Sequence, residues 1–361
     1  MPSRPCILQL CFFWIALLSG RSQGHAQLQH IQRQIEKIIR FESGIDTSLV
    51  PGIVVCLSDQ GNAMCFTFGN GVSESDVFEL GSLTKPVTAF LAMKALDSLK
   101  RSAATPVCDF LPDSLCQGRW SELTIEDILE HKTGLPRLPG NMGSWEADLN
   151  DPFMAYDVSK MAKDIKDLEP IPGRYSYSHI GYAVLHWVFE QVGGLEKFSE
   201  KVLPKQISGG GMLWMCPDSL ITGGHGFDGL PARVWHTNAM APAMGLKATA
   251  RDVLRFLDVQ APLLGNAGSP LTDELKRELA IYDRSGSYKV NQGWFMIRSG
   301  NSVVYYHNGR TGGHQVSVAF LPAREKEVVV FSNGAAGTNE LSLSILTMLK
   351  RAKNKRFLRH T

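Results

Sequence analysis

The sequence predicts an α+β protein in which one antiparallel sheet takes its strands from both ends of the chain and is flanked by helices. Two strand patterns occur early and four occur late, near residues 52–58, 63–68, 292–298, 302–307, 315–321 and 327–332. From about residue 101 to residue 282 the chain instead reads as helices and long loops rich in proline and glycine. Amphipathic strands at the two ends can bury their apolar faces only by joining one sheet, so the middle is a mostly helical insertion.

Helical periodicity predicts three elements that accompany the sheet. Apolar residues recur at helical spacing from about Gln27 to Phe41, a second helix runs from Ser82 to about Leu99, and a third runs from Leu341 to Leu349. A chain of 361 residues is long enough for one large domain or two modest ones. We therefore expect two lobes, a discontinuous sheet lobe and a mostly helical lobe, with the bounds 27–100 plus 290–361 and 101–289.

The N-terminus reads as a secretory signal over residues 1–26. Arg4 precedes an apolar run from Ile7 to Leu18, and Gly24-His25-Ala26 resembles a small-residue cleavage site. The run is too short to cross a bilayer comfortably, which takes about 20 residues. We expect a secreted or periplasmic protein, and the alternative is an uncleaved N-terminal membrane anchor.

Charge and composition give no indication of a nucleic-acid partner, and nothing in the sequence indicates an obligate protein partner. The formal net charge of the chain is +2, and removal of the signal, which carries Arg4 and Arg21 and no acid, leaves the mature chain neutral. A basic cluster follows the last predicted helix, at Lys350, Arg351, Lys353, Lys355, Arg356 and Arg359. It is either a solvated tail or a weak contact with an anionic membrane or cell-wall surface.

Five cysteines remain after the signal, and four of them form candidate pairs. If Gln60-Gly61 is a two-residue hairpin loop, Cys56 faces Cys65 at a non-hydrogen-bonded position, where Cα atoms lie about 4.5 Å apart and admit a disulfide. Cys108 and Cys116 flank a short loop and could also pair, which leaves Cys216 free. An oxidising compartment fits these pairs, and the alternative is that the cysteines are free and buried.

The segment Ser82-Leu83-Thr84-Lys85 places a hydroxyl three positions before an amine, a spacing that suits a nucleophile and its base. At positions i and i+3 of a helix start, the Lys85 amine can reach the Ser82 hydroxyl. Pro86 is tolerated only in a first helical turn, which puts Ser82 at the positive end of that helix. A lysine whose pKa is lowered by burial could activate the serine. The alternative is a helix cap followed by a solvated lysine.

Two further segments complete a pattern. Tyr177-Ser178-His179 lies in a polar loop ahead of an apolar helix predicted over 183–192, and His307-Asn308-Gly309-Arg310 follows a strand and precedes another. With Ser82 and Lys85, their order and spacing resemble the serine β-lactamase and penicillin-binding protein superfamily, in the branch of class C β-lactamases, D-Ala-D-Ala carboxypeptidases and related esterases. The resemblance extends from about Val50 to Gly334 and implies a β-lactamase/transpeptidase-like fold.

The resemblance also implies roles for the motif residues. Ser82 would be the nucleophile, Lys85 and Tyr177 would share the proton transfers, and the backbone N–H groups of Ser82 and Arg310 would form the oxyanion hole beside Gly309. Tyr175 is a second candidate for the tyrosine. His307 would face the carboxylate side of the substrate or assist Tyr177.

This chain departs from the family pattern at two substrate-binding positions. His179 stands where the family usually has asparagine. His307 stands where class C β-lactamases have lysine, and histidine at this place is the form seen in carboxypeptidases and esterases of the superfamily. A histidine at position 179 predicts a change of activity near pH 6 to 7, close to the ordinary pKa of an imidazole.

The implied function is a secreted hydrolase that uses an acyl-enzyme on peptides of the D-Ala-D-Ala type, esters or β-lactams, with a carboxypeptidase or esterase slightly ahead of a β-lactamase. A non-catalytic protein that kept the fold as a small-molecule or peptide binder is the alternative from another class. The mechanism requires no cofactor. No H-E-x-x-H or C-x-x-C spacing indicates a metal site, and we expect His131, His225 and His236 to be structural.

Overall fold

The computed structural model describes residues 26–42, 45–46, 49–139, 148, 150–207, 211–264, 279 and 288–351. The predicted signal lies outside this part of the chain except for Ala26, and so do the last four members of the basic C-terminal cluster. Within the described ranges, no helix is long and apolar enough to cross a membrane.

A seven-stranded antiparallel sheet forms the centre of the molecule. In chain order the strands of the protein are β1 (Gly52–Asp59), β2 (Asn62–Gly69), β3 (Phe78–Glu79), β4 (Gly224–His225), β5 (Pro231–Ala232), β6 (Lys247–Ala248), β7 (Lys289–Asn291), β8 (Trp294–Ser299), β9 (Ser302–Arg310), β10 (Gln315–Leu321) and β11 (Lys326–Ser332). The large sheet has the order β2-β1-β11-β10-β9-β8-β7, while β3 pairs with β6 and β4 pairs with β5. The first strand therefore lies beside the last one, as expected for a sheet built from both chain ends.

Helices cover both faces of this sheet. In chain order they are α1 (residues 26–37, continued by a π-helical turn at Ile38–Glu42), α2 (Thr84–Ser98), α3 (Ile125–Leu129), α4 (Val158–Asp167), α5 (His179–Ala183), α6 (His186–Glu190), α7 (Leu195–Gln206), α8 (Ala241–Met244), α9 (Ala250–Leu263) and α10 (Leu341–Arg351).

Alternate residues of β1 serve two different cores, because successive side chains of a strand point to opposite faces. Val54 and Cys56 belong to a large cluster with α2 and the helical middle of the chain. Val55 and Leu57 belong to a second cluster with α1 and α10. Burial on both faces explains why every residue of β1 is buried.

The hairpin of β1 and β2 has the register that the sequence predicted. Gln60 and Gly61 both adopt positive φ, at 54° and 79°, which is the two-residue turn that the hairpin requires. Cys56 therefore faces Cys65, and the two form a disulfide with a Cα–Cα distance of 4.1 Å. A second disulfide joins Cys108 and Cys116, and Cys216 is free.

Two predicted elements differ from the structure. The strand predicted over 292–298 is β8 and begins only at Trp294, because Gln292 and Gly293 adopt positive φ and form a tight turn; the short strand β7 before that turn was not predicted. The helix predicted over 183–192 is replaced by α5 and α6, which together run from His179 to Glu190. The Ser178 hydroxyl accepts a hydrogen bond from the Gly181 N–H at 2.9 Å, so the helical segment begins earlier than its apolar residues indicate.

Candidate active site

Ser82 lies in a 3₁₀ turn, Gly81–Leu83, that leads directly into α2. Pro86 is the third residue of that helix, where its missing N–H leaves no intrahelical bond unmade. Gly81, Leu83 and the first residues of α2 are buried, whereas Ser82 itself is half-buried. The sequence expectation for this segment is therefore met: the hydroxyl is presented at the start of a helix that the core holds rigidly.

The Lys85 amine is fully buried behind Ser82 and has three polar neighbours. Its Nζ lies 3.4 Å from Ser82 Oγ, 2.8 Å from His179 Nδ1 and 3.0 Å from the carbonyl oxygen of Ala243 in α8. An ammonium group can donate to all three. A neutral amine can donate to Ala243 and His179 while its lone pair faces the Ser82 hydroxyl. The same surroundings thus suit Lys85 before and after it takes up a proton.

Burial lowers the pKa of Lys85 well below its ordinary value, and the positive charge of Arg137 adds to this effect. A buried ammonium loses its hydration, and no carboxylate in the described part of the chain lies against Lys85 to compensate. The neutral amine that a general base requires is the form that this environment favours.

Tyr177, rather than Tyr175, lies against the lysine. The Lys85 Nζ is 5.0 Å from the centroid of the Tyr177 ring. Burial raises the pKa of the Tyr177 hydroxyl far above neutral pH, and hydrogen bonding toward Ser82 opposes that rise only in part. Tyr177 therefore carries its proton at neutral pH, which suits a group that donates or relays a proton and makes Lys85 the better base.

His179 is the first residue of α5, and its backbone N–H donates to the carbonyl oxygen of Arg137 at 2.9 Å. Burial lowers the pKa of its imidazole well below 6.5, and the nearby Lys85, Arg137, His131 and His307 lower it further. The burial of His179 therefore argues against the pH change that the sequence predicts near pH 6 to 7, and that change stays a matter for measurement. A desolvated ring among cationic and titrating neighbours stays neutral in that range.

His307 is fully buried on β9 and does not offer a charge to a substrate. Its Nδ1 lies 2.7 Å from the carbonyl oxygen of Asn308, so this nitrogen carries the proton and donates. Its ring stacks on Phe295 with centroids 4.7 Å apart, and its Nε2 is buried without a hydrogen-bond partner. Burial and the proximity of Lys85 lower the pKa of His307 to about 3. Since its ring centroid is 6.4 Å from that of Tyr177, the geometry favours assistance to Tyr177 over contact with a carboxylate.

Gly309 and Gly81 let β9 pass directly against the Ser82 turn. A Cβ on Gly309 would lie 1.9 Å from the Leu80 carbonyl oxygen, and a Cβ on Gly81, whose φ is +50°, would lie 2.7 Å from the Arg310 backbone nitrogen. Only glycine fits at these positions. The Arg310 backbone therefore runs beside the residue that precedes Ser82, which is the placement that the proposed oxyanion hole needs. The Arg310 side chain is exposed and stacks on Phe227 at 4.8 Å.

Two residues at this site were not assigned a functional place from the sequence. His131, expected to be structural, accepts a hydrogen bond from the Ser178 N–H at 3.2 Å, and its ring centroid is 4.4 Å from that of Tyr177. Arg137 lies over the same ring, with its guanidinium carbon 5.2 Å from the centroid. Both come from the segment that contains His131-Lys132-Thr133-Gly134-Leu135-Pro136, so the family resemblance of that segment was the available indication.

The histidines around Tyr177 do not form a metal-binding group. Among the residues that the structure describes, no group of three or more histidine, cysteine, aspartate or glutamate side chains could hold a metal ion. The groups that the structure brings together are those of acyl transfer: a half-buried hydroxyl, a buried amine, a phenol and the backbone of a neighbouring strand.

Comparisons with known proteins bear on the fold and on the family of this chain. A beta-lactamase/D-alanine carboxypeptidase from Pseudomonas syringae has the same fold, with a TM-score of 0.70 and 18% identity over 91% of this chain and 99% of that one. A Beta-lactamase of Pseudomonas fluorescens is 23% identical over 334 residues, which cover 79% of this chain and 88% of the relative. The Unguisins hydrolase ungD of Aspergillus violaceofuscus is 29% identical over 163 residues.

The fungal match is partial, since it covers 41% of this chain and only 28% of the fungal protein. The solved structures share too little sequence to show more than the fold, and they confirm the predicted fold class. The two-lobe division at residues 100 and 290 stays a prediction. The sequence profile of the Beta-lactamase family matches residues 40–349, which is most of the chain. The chain therefore belongs to the Beta-lactamase family.

Proposed function

We propose that this protein is a secreted serine hydrolase that acts through an acyl-enzyme on peptide, ester or β-lactam carbonyl groups. One observation carries the proposal: the buried Lys85 amine lies 3.4 Å from Ser82 Oγ, in surroundings that lower its pKa and so favour its neutral form. A solvated lysine at this spacing would be protonated at neutral pH and could not accept the serine proton.

In the first half-reaction Ser82 Oγ attacks the substrate carbonyl while its proton passes to Lys85 Nζ. The carbonyl oxygen gains negative charge, which the backbone N–H groups of Ser82 and Arg310 stabilise. Tyr177 then relays a proton to the leaving atom, the bond from the carbonyl carbon to that atom breaks, and the acyl group remains on Ser82.

In the second half-reaction a water molecule attacks the acyl-enzyme, and the same proton carriers act in reverse. The water gives up a proton through Lys85 or Tyr177, the Ser82 ester bond breaks, and the Ser82 hydroxyl recovers its proton. No step requires a cofactor, since a protonated acid and a neutral base supply both transfers.

Among the substrate classes, a carboxypeptidase or esterase is favoured over a β-lactamase. An imidazole at position 179 presents one donor and one acceptor in a geometry different from that of the family asparagine. Its Nδ1 already accepts from Lys85. His307 is neutral and bonded to its own strand, so it does not supply the cation that the family lysine offers. Secretion is supported by the pattern of residues 1–26 and by two disulfides.

The experiment is covalent labelling followed by intact mass spectrometry. The mature protein is incubated with benzylpenicillin and, separately, with a fluorophosphonate. We expect one adduct per chain with at least one of the two probes, mapped to the peptide that contains Ser82, and no adduct in Ser82→Ala. Ser98→Ala is the matched control, because Ser98 ends the same helix and its hydroxyl donates to the Ala95 carbonyl of that helix, away from the active site. Labelling of Ser82→Ala at the wild-type rate would refute the assignment. No adduct on the wild type with either probe would favour the non-catalytic binding protein.

A further inference from the structure

The helix α1 carries a row of cations on the side that it turns away from the core. Its isoleucines are buried against the sheet, whereas Arg33, Lys37 and Arg40 are exposed. Residues three and four positions apart lie on one side of a helix, so these three side chains form one row. Phe41 follows directly, and its side chain is 77% exposed. We call these four residues the basic face of α1.

Two cations of the basic face have no acidic partner. Arg40 pairs with Glu36 at 2.7 Å, which compensates part of its charge. Neither Arg33 nor Lys37 forms an ion pair with a residue that the structure describes. Uncompensated cations in a row on a helix that the core holds in place attract an anionic partner.

The end of α10 extends the positive charge. Arg351 of α10 is exposed, and together with His30 and Gln34 of α1 it lines a groove of about 600 Å³ between the two helices. The chain then continues with the last four members of the basic C-terminal cluster, which lie outside the described residues. The positive charge therefore runs from the basic face of α1 to the end of α10.

The basic face lies on the other side of the sheet from the helix that follows Ser82. The helices α1 and α10 pack on the cluster that contains Val55 and Leu57, and α2 packs on the cluster that contains Val54 and Cys56. A large partner that docks on α1 therefore leaves the α2 side of the sheet uncovered.

The exposed ring of Phe41 indicates which kind of anionic partner fits this surface. A sulfated glycan interacts with the cations alone and leaves an exposed phenyl ring in water. The surface of a bilayer interacts with both, because anionic headgroups attract lysine and arginine while an aromatic side chain enters the boundary between headgroups and acyl chains.

We propose that the basic face of α1, together with Arg351, docks this protein on a membrane surface that contains anionic lipids. Arg33, Lys37 and Arg351 would contact the headgroups, and Phe41 would enter the interface beside them. The contact is peripheral, and it is independent of the proposed hydrolase function.

The test is flotation of the mature protein with lipid vesicles. One set contains phosphatidylcholine alone, and the other contains phosphatidylcholine and phosphatidylglycerol at a ratio of about two to one. We expect binding to the second set only, and we expect it to weaken as the salt concentration rises. The double variant Arg33→Gln/Lys37→Gln should lower the partition coefficient by about ten- to thirtyfold, since each cation near an anionic surface contributes a factor of about five.

Phe41→Ala separates the apolar contribution from the charge. It should weaken binding by about five- to tenfold and leave the slope of the salt dependence unchanged. The matched control is Lys197→Gln/Lys201→Gln, which removes the same charge from two exposed lysines four positions apart on α7. This helix packs on the cluster that contains α2, so the control should bind as the wild type does. Thermal melts followed by circular dichroism show whether each variant is folded.

Three results would overturn the proposal. Equal losses in the α1 and α7 double variants would show that only the net charge matters. Binding that is lost when the tail cations after Arg351 are replaced by glutamine, and that Arg33→Gln/Lys37→Gln leaves unchanged, would place the contact on the tail alone. Salt-dependent binding to heparin without flotation on the anionic vesicles would identify a soluble polyanion as the partner.

Discussion

Buried histidines lie at both ends of the segment from His307 to His314, and they differ in whether a carboxylate lies against them. His307, with His131 and His179, surrounds Lys85 and Tyr177, and within the described ranges no carboxylate pairs with any of these three rings. His314 has Glu79 Oε2 3.0 Å from its Nδ1 and the Thr222 carbonyl oxygen 3.0 Å from its Nε2. Both ring nitrogens of His314 thus face oxygen atoms, and one of these belongs to a carboxylate.

The difference shows how one fold can surround one buried cluster with groups other than carboxylates and place a carboxylate directly against another buried histidine. Burial disfavours charge in both places, and only a nearby opposite charge reverses that effect. Around Lys85 the chain supplies neutral rings and carbonyl oxygens, so the amine stays available as a base. Around His314 the chain supplies Glu79, whose carboxylate also accepts from the backbone N–H of Trp235 at 2.7 Å and from the Thr311 hydroxyl at 3.0 Å. In the proposed mechanism the first cluster carries out the proton transfers, and the contacts of Glu79 with His314 and Thr311 tie β3 to the segment after β9.

The largest effect on stability is expected when the paired cluster is broken. Glu79→Gln removes the buried carboxylate that faces His314, Thr311 and the Trp235 backbone, and should lower the free energy of unfolding by about 3–5 kcal/mol. Urea denaturation followed by circular dichroism measures this change. Glu200→Gln, an exposed position on α7, should change it by less than about 0.5 kcal/mol. A similarly small change for Glu79→Gln would contradict the structural role of the cluster.

Placing a carboxylate in the neutral cluster should disable the base. His179→Asp puts an anion beside Lys85, raises the pKa of the amine and reduces its neutral fraction, so ester hydrolysis at pH 7 should fall by about 100-fold. Part of the activity should return as the pH is raised. His179→Asn is the matched control, because it has nearly the same shape without the charge. Equal activity of His179→Asp and His179→Asn at pH 7 and at higher pH would show that the charge of Lys85 does not limit the reaction.

Glu327 is a buried carboxyl group that pairs with no cation among the residues that the structure describes. Glu327 on β11 has an Oε2 with no hydrogen-bond partner, and burial together with Asp258 raises the pKa of its carboxyl to about 8. The folded state therefore holds a proton that the unfolded chain loses near pH 4.5, and the cost of burying Glu327 grows as the pH rises from 4.5 to 8. We expect Glu327→Gln to be more stable than the wild type by about 2–4 kcal/mol at pH 8 and nearly equal at pH 4. A stability difference that does not depend on pH would contradict this prediction.

The smallest effect is expected from His179→Asn near pH 6.5. The wild-type ring faces Lys85, Arg137, Tyr177, His131 and His307, and these surroundings hold its pKa well below 6.5. The pH profiles of the two proteins should therefore coincide between pH 6 and 7.5. Turnover of amides or β-lactams should rise by a few-fold relative to esters, because asparagine restores an amide donor. A wild-type inflection near pH 6.5 that disappears in His179→Asn would show that the ring titrates there after all.

Local patterns were enough to predict most of the fold. Alternation of apolar residues and a two-residue turn determine the β1–β2 hairpin, and with it the Cys56–Cys65 disulfide. The strand β7 was missed because Lys289–Asn291 is too short to show a period. The start of the α5 helix was missed because the Ser178 cap, rather than apolar spacing, determines it.

The motif spacing predicted which residues meet at the site but not how their neighbours act on them. Ser82, Lys85 and Tyr177 come together as expected, although their roles remain proposals. Arg137 lies 40 positions before Tyr177 in the sequence and reaches its ring only through tertiary folding. The depressed pKa of His179 likewise depends on burial, which a single polar loop motif does not reveal.

The proposed mechanism requires Lys85 to be a neutral base at neutral pH, and the pKa of its amine can be measured directly. The protein is labelled with lysine that carries ¹³C at the ε position, and the Lys85 resonance is identified by its absence in Lys85→Met. The chemical shift of each lysine is then followed by NMR as a function of pH. We predict that Lys85 titrates well below the other lysines, with its neutral form populated near pH 7. Titration of Lys85 together with the exposed lysines, near the ordinary value of about 10.4, would contradict the account.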